Sequence, residues 1–235
     1  EHFIFTIDPD DAKDFDDAIN VETTPTGWRV GIHIADVSHY VKPKTELDRE
    51  AQSRGNSVYL ADRVIPMLPE ALSNGICSLK PRVERLAFSV FAEITKAGKI
   101  QSARFSKTVI RSAERLTYKE AFAILEGPRG TSALAQKLHT AWDLASLLRR
   151  KRFDAGSLDL EFPEVKVRLD ELGKPIRLEK VENDISHQLI EEFMLLANKK
   201  VGEFIGKNKV NGQERTYVYR IHDTPDDGKL MQLKT

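Results

Sequence analysis

Six of the ten residues from Asp8 to Asp17 are aspartates, and only Lys13 opposes them within that stretch. Carboxylates gathered this tightly repel one another and tend to take up protons. Asp14 and Asp16 are two residues apart, so an extended backbone points both to one side, whereas Asp17 points elsewhere unless the chain turns. Asp8 closes the preceding β-favouring run. One reading is structural: Asp bonds nearby backbone N–H groups and favours turns and helix starts, so an Asp-rich link between strands needs no ligand. The other is a bound divalent cation, which removes the repulsion. Magnesium suits such a nest, with manganese as a substitute, because it takes hard oxygen ligands, keeps waters and completes its shell with substrate phosphate. A calcium EF-hand loop is excluded: counted from Asp8, the fifth position is Ala12, the sixth is Lys13 instead of Gly, and the twelfth is Ile19 instead of Glu. Zinc is poorly supported, since no His or Cys lies within the cluster. Magnesium-assisted phosphate chemistry is the sharpest physical reading.

Two β-patterned runs flank the acidic stretch. They are Phe3–Ile7 and Trp28–Val37, the second with Val30, Ile32 and Ile34 alternating against Arg29, Gly31 and His33. A turn at Thr24–Gly27 would make these runs neighbours. Lys44–Gly55 reads as a short helix with a Gly stop. Asn56–Pro81 reads as a long, mostly irregular loop, a kind of segment that is often functional. Arg85–Tyr118 reads as two or three strands joined at Lys96–Lys99, and Leu158–Glu182 as two strands around Glu171–Lys174. Ser132–Ser157 is a helix with Leu134, Leu138, Trp142, Ala145 and Leu148 on one face and Gly156 beyond its end. Asp184–Asn208 is the clearest helix: Asp184 offers an N-cap, Ile185, Leu189, Phe193, Leu196 and Val201 form its apolar stripe, and Gly206 helps to end it. Thr216–Pro225 reads as a last strand running into a turn. Many strands beside a few long helices, without strict βαβ alternation, point to an α+β fold.

With 235 residues, 40% of them hydrophobic and 31% charged, the chain can bury a sizeable core. Its 36 basic and 36 acidic side chains cancel, which argues against an open basic face for nucleic acid but leaves room for a partner held in an internal channel. The single cysteine, Cys77, excludes an internal disulfide and any multi-cysteine zinc site. No apolar run approaches the ~18 residues of a membrane span, and no basic, apolar leader precedes Glu1. A cytoplasmic protein without a membrane partner is expected. The chain starts without Met inside a strand-like run and stops at "KLMQLKT" with no closing element, so a piece of a longer protein is expected.

The stretch "TIDPDDAKDFDDA" resembles the signature of the ribonuclease II/ribonuclease R family, the RNB catalytic domain, and its "AKDFDDA" form is closer to the ribonuclease R (VacB) branch. The segments "GIHIADVSHYV", "NSVYLADRVIPMLPEALSNGICSL", "RLAFSV", "IRSAERLTY", "HQLIEEFMLLAN" and "YRIHDTP" resemble further blocks of that domain, in order, across essentially the whole chain. The resemblance implies one RNB-type domain over residues 1–235, incomplete at its C-terminus, without cold-shock or S1 modules. The expected core is a mixed, largely antiparallel sheet or a barrel-like arrangement with several packed helices. It also implies a processive 3′→5′ exoribonuclease that hydrolyses single-stranded RNA to nucleoside 5′-monophosphates with magnesium. No nucleotide cofactor is expected, and no oligomer is predicted.

Carried over by residue, the resemblance places the main metal on Asp8 and Asp17. Asp14 supports the site, and Asp16 is most critical to the chemical step, at a second metal or the attacking water. Such an arrangement fits two-metal hydrolysis. Asp10 and Asp11 fall outside the pattern and read as loop residues. Tyr59 matches the tyrosine that stacks on the 3′-terminal nucleotide, which suits an enzyme blind to sequence because every base has a π face. Tyr219 is a second aromatic candidate, weighed against a place in the core. His187, Glu191 and Asn198 share a polar stripe that lines an RNA channel or faces solvent. His33, Asp36 and His39 resemble a metal set, but an alternating-strand His more often serves as a hydrogen-bonded structural residue. Arg149–Arg152 reads as a helix-dipole complement more than as a phosphate contact. The family's later S-P-[IL]-R-R-Y segment, whose arginine contacts phosphate, has no match here. The chain alone is therefore expected to be weak or inactive. The alternative is a non-catalytic RNA-binding or regulatory protein of the same fold, against which all four signature aspartates and Tyr59 count.

Overall fold

Strand β1 (Phe5–Asp8) ends on the first aspartate of the acidic stretch, and β2 (Asp17–Thr24) begins on the last. Our computed structural model describes residues 2–158, 164–181, 183–210, 212–213, 215–221 and 223–233. β3 (Gly27–Ala35) pairs antiparallel with β2, which itself pairs antiparallel with β1. The two runs expected to be neighbours are therefore separated by β2. Ala18, Ile19 and Val21 explain the insertion, because all three are buried and the strand carrying them must lie inside the sheet.

Beyond β3 come α1 (Val37–Tyr40) and α2 (Glu46–Arg54). The Thr45 hydroxyl caps α2 by accepting from the Asp48 amide, and Gly55 stops it at φ +75°. The irregular reading of Asn56–Pro81 holds except for a small hairpin, β4 (Val58–Tyr59) with β5 (Val64–Ile65), and a π-helical turn over Ala71–Ile76. The expected strand run becomes β6 (Glu84–Thr95), β7 (Ile100–Arg111) and β8 (Glu114–Thr117). Helix α3 (Tyr118–Glu126) follows without a break and was not anticipated. Its signal was a capping box: the Thr117 hydroxyl accepts from the Glu120 amide, and the Glu120 carboxylate accepts from the Thr117 amide.

The main sheet has the order β7-β6-β3-β2-β1-β8. β1 and β8 run parallel, and the other pairs are antiparallel. Of the two arrangements expected for the core, the structure takes the open sheet, with β7 and β8 as its edges. Helix α4 (Ala133–Asp154), capped by Ser132, packs on β2 and α3. Leu138, Ala141, Leu144 and Ala145 are buried on it, while Leu134, Trp142 and Leu148 of the expected face are only half-buried. Phe5, Ile19, Ile32, Leu138 and Leu144 are fully buried, each worth roughly 1.5–3 kcal/mol.

His33 answers the metal-set question. Its ring is buried in the sheet, with Nδ1 bonded to Ser89 Oγ at 2.7 Å and Nε2 to Asn20 Oδ1 at 2.9 Å. Asp36 pairs instead with Ser38 and Lys107. Gly31 makes room for the histidine pair, because a Cβ there would lie 2.2 Å from Asn20 Oδ1.

The two expected strands near Glu171–Lys174 are β9 (Glu164–Leu169) and β10 (Pro175–Val181), with 159–163 and 182 outside the described residues. In helix α5 (Ile185–Lys207), Asp184 caps as expected, accepting from the Ser186 amide at 2.9 Å. The chain divides into two compact units, Glu1–Leu195 and Leu196–Thr235, with the boundary inside α5. The second unit also holds α6 (Asp227–Leu233), which the sequence reading did not foresee. The strand expected at Thr216–Pro225 does not form. Residues 215–221 and 223–225 carry no regular structure, and His222 lies outside the described residues. Val218 and Ile221 are exposed, and a strand requires a partner ladder for its amides and carbonyls. Among the described residues, no helix is long and apolar enough to cross a membrane.

Candidate active site

The sheet holds both ends of the acidic loop, and the loop between them is tied down by backbone contacts. Phe15 is buried; its amide donates to Ser78 Oγ at 3.0 Å, and its carbonyl accepts from the Leu79 amide at 2.8 Å. Ser78 Oγ in turn donates to the Lys13 carbonyl at 2.8 Å. The Asp16 carbonyl accepts from the Ala35 amide at 2.9 Å. Asp10 and Asp11, which lie outside the motif, have their own cations: Lys119 at 2.5 Å and Lys166 at 2.8 Å.

Asp8, Asp14, Asp16 and Asp17 differ in their surroundings. Asp8 is 7% exposed, and its Oδ2 accepts from Thr6 Oγ1 at 2.6 Å. Burial pushes its pKa up to about 6; the Thr6 bond and the Arg115 charge oppose that rise, and Asp16 and Asp14 add to it. Asp17 is pushed up to about 7 by burial first, then by the charges of Asp8 and Asp16. Asp16 is the most exposed of the four, and its pKa is raised by desolvation and by Asp14. These carboxylates share one electrostatic field.

A divalent cation fits this donor set. Asp17 Oδ2 is buried and has no hydrogen-bond partner among the described residues, and a buried unpaired oxygen calls for a ligand or a reason. Among the described residues, no three His, Cys, Asp or Glu side chains form a ready cage for a metal. A cation held here would draw the rest of its shell from water or substrate oxygens. That suits magnesium, which keeps waters and shares substrate oxygens, better than zinc, which takes closed nitrogen and sulfur sets.

A cleft of about 430 Å³ opens beside the loop, lined by Asp11, Lys13 and Asp14 on one side and by Ser57, Tyr59 and Arg63 on the other. Tyr59 is 69% exposed at the β4–β5 hairpin. The structure thus brings Tyr59 and Asp14 to one cavity. Glu191 contacts Arg152 at 3.3 Å and is partly exposed, and Asn198 is exposed on the same helix. In the second unit, Tyr219 packs edge-on to Tyr217 at 4.8 Å, and its hydroxyl donates to the Gly202 carbonyl at 3.4 Å. In the basic run, Arg152 reaches Glu192 at 2.5 Å, and Lys151 donates to the Ala97 carbonyl at 2.9 Å.

Two residues beside the aspartates escaped the sequence reading. Tyr118 stacks on His187 with centroids 3.9 Å apart, and its pKa is pushed up to about 12 by burial and by the charges of Asp17, Asp8 and Asp184. Arg115 reaches over the acidic loop. Both lie in "IRSAERLTY", a block noted for its resemblance with no role given to any residue in it.

The chain matches the RNB domain family over residues 1–235. It is 42% identical to DIS3-like exonuclease 2 of Schizosaccharomyces pombe over 98% of its own length and 26% of that protein. With ribonuclease R of Thermotoga maritima it shares 44% identity, over 98% of its length and 32% of that protein. Among solved structures, it is similar to Mycoplasma genitalium RNase R in complex with ribose-methylated single-stranded RNA. The TM-score there is 0.91 at 32% identity, covering 99% of this chain and 36% of that one. The chain spans roughly a quarter to a third of the length of the curated relatives it matches.

Proposed function

The chain belongs to the RNB domain family, and on that premise we propose that it is a magnesium-dependent, processive 3′→5′ exoribonuclease acting on single-stranded RNA to release nucleoside 5′-monophosphates. One observation carries the reading furthest. A single cleft joins the exposed ring of Tyr59 to Asp14, a member of the cluster in which Asp17 holds an unpaired buried oxygen.

Each residue has a distinct task. Asp8 and Asp17 would hold the main cation through their carboxylate oxygens, with Thr6 orienting Asp8. Asp14 supports the cluster from the cleft wall. Asp16, the most open of the four, would act on the reacting phosphate or its water. Bound magnesium (or manganese in its place) would supply positive charge to the phosphate oxygens and lower the pKa of the attacking water. Tyr59 offers its ring to the 3′-terminal base, an interaction worth ~1–3 kcal/mol. Glu191, Asn198 and Tyr219 are assigned to RNA contacts. Burial raises the pKa of Asp8 and Asp17, so binding of a cation and full ionisation of these two carboxylates would go together.

The test follows 5′-labelled single-stranded RNA with magnesium, beside EDTA and Asp16→Asn controls. Stepwise 3′ shortening with release of mononucleotides, abolished by both controls, is the expected result. RNA that is bound but left intact at every magnesium concentration would replace this reading with that of a non-catalytic RNA-binding protein.

A further inference from the structure

Arg115 lies on the edge strand β8, in register with Thr6 of β1, two residues before Asp8. From there its Nη2 donates to the Pro9 carbonyl at 2.6 Å and reaches the Asp10 carbonyl at 3.4 Å. The same guanidinium lies 5.3 Å from the centroid of the Phe15 ring. One side chain therefore touches both ends of the acidic loop: the backbone just after Asp8 and the aromatic between Asp14 and Asp16. Its Nε is buried and has no hydrogen-bond partner among the described residues. The side chain is aimed at loop backbone and at the Phe15 ring.

The loop's other cationic contacts are of a different kind. Lys119 and Lys166 bind Asp10 and Asp11 through exposed ion pairs, which water and salt screen. Lysine offers a point charge on a flexible stem, whereas the planar guanidinium fork can span two carbonyls and lie against a ring at once.

We infer that Arg115 is a positioning residue for the metal site, clamping the Pro9–Asp10 backbone and Phe15 so that Asp8, Asp14, Asp16 and Asp17 stay turned toward one another. This inference rests on the magnesium reading above. On this inference Arg115 acts through the loop backbone and Phe15, not as a ligand. It resembles an outer-shell partner of a metal site, whose loss typically weakens metal binding by about 10–100-fold.

The experiment compares the wild type with Arg115→Met and Arg115→Lys, without RNA. Manganese binding is titrated by calorimetry, and hydrogen exchange is followed at the amides of 10–16 and of β3. The expected result is at least ~10-fold weaker manganese binding in Arg115→Met, with faster exchange in the loop and unchanged exchange in β3. Arg115→Lys should fall between the two. A folded Arg115→Met with a lower melting temperature but wild-type manganese affinity would reduce Arg115 to a structural residue and overturn the inference. Wild-type loop exchange in that variant overturns it as well. If the wild type binds no divalent cation, the magnesium reading fails, and loop exchange alone then decides the positioning role. If Arg115→Met does not fold, Arg115→Lys, which keeps the charge, carries both measurements.

Discussion

Replacing His33 by Gln should flatten the acid limb of the protein's stability curve. Burial in the sheet, with the field of His2 added, holds the His33 pKa down at about 4 against the ordinary 6.5. The folded state therefore prefers the neutral ring bonded to Ser89 and Asn20. A group whose pKa is depressed on folding contributes its stability in full above its unfolded pKa and loses it as pH falls through the window down to its folded pKa. Here that window runs from about 6.5 to about 4. The interval of about 2.5 units, at 1.36 kcal/mol per unit, sets an upper limit of about 3.4 kcal/mol. Asp8 and Asp17, whose pKa values are raised, pull in the opposite direction over part of the same range, so the difference between wild type and variant isolates the histidine. The assay is urea denaturation at pH 7, 6, 5 and 4 in EDTA. His33→Gln should cost stability at pH 7, and that cost should shrink by about 2–3 kcal/mol by pH 4. A cost independent of pH would refute the argument that the buried ring must stay neutral.

The remaining predictions concern the site and its support. Asp17→Asn should raise the metal-free melting temperature, because a buried carboxylate with an unpaired oxygen is replaced by a neutral isostere. A gain of ~1 kcal/mol corresponds to about 2–4 °C in a domain of this size, and the magnesium-induced rise expected of the wild type should be absent from the variant in differential scanning calorimetry. Gly31→Ala should lose ~1–3 kcal/mol in urea denaturation, since its Cβ would lie 2.2 Å from Asn20 Oδ1. Tyr59→Ala should leave the melting temperature unchanged, because the ring is exposed. The same change should weaken single-stranded RNA binding by ~1–3 kcal/mol in fluorescence anisotropy, with Tyr59→Trp retaining most of the affinity.

Much of the site was legible in the order of the residues. The acidic stretch stands out in the sequence, and Asp8 falls at a strand end as its flanking pattern implied. Helix α5 starts at Asp184, where capping chemistry placed it, and α2 stops at Gly55 as its pattern implied. Less legible was the face of α4. There Leu144 is buried while Trp142 is only half-buried, because burial is set by how β2 and α3 cover the helix and not by hydropathy alone. The strand expected near Tyr219 failed for a similar reason: alternation suits a strand, but the described residues of that unit supply no ladder for it to join.

What the sequence alone determined is therefore local: donor types, their spacing, helix caps and the periods of strands and helices. Each of these depends on residues within a turn or two of one another, so a linear reading captures them. Tertiary structure decided the rest. It placed β2 between β1 and β3, brought Arg115 over the backbone after Asp8, and set Tyr59 across a cleft from Asp14. It also decided that Asp8 is buried while Asp16 stays open. Those outcomes depend on which distant segments cover each side chain, and that covering is the sum of many weak contacts made only once the sheet is assembled.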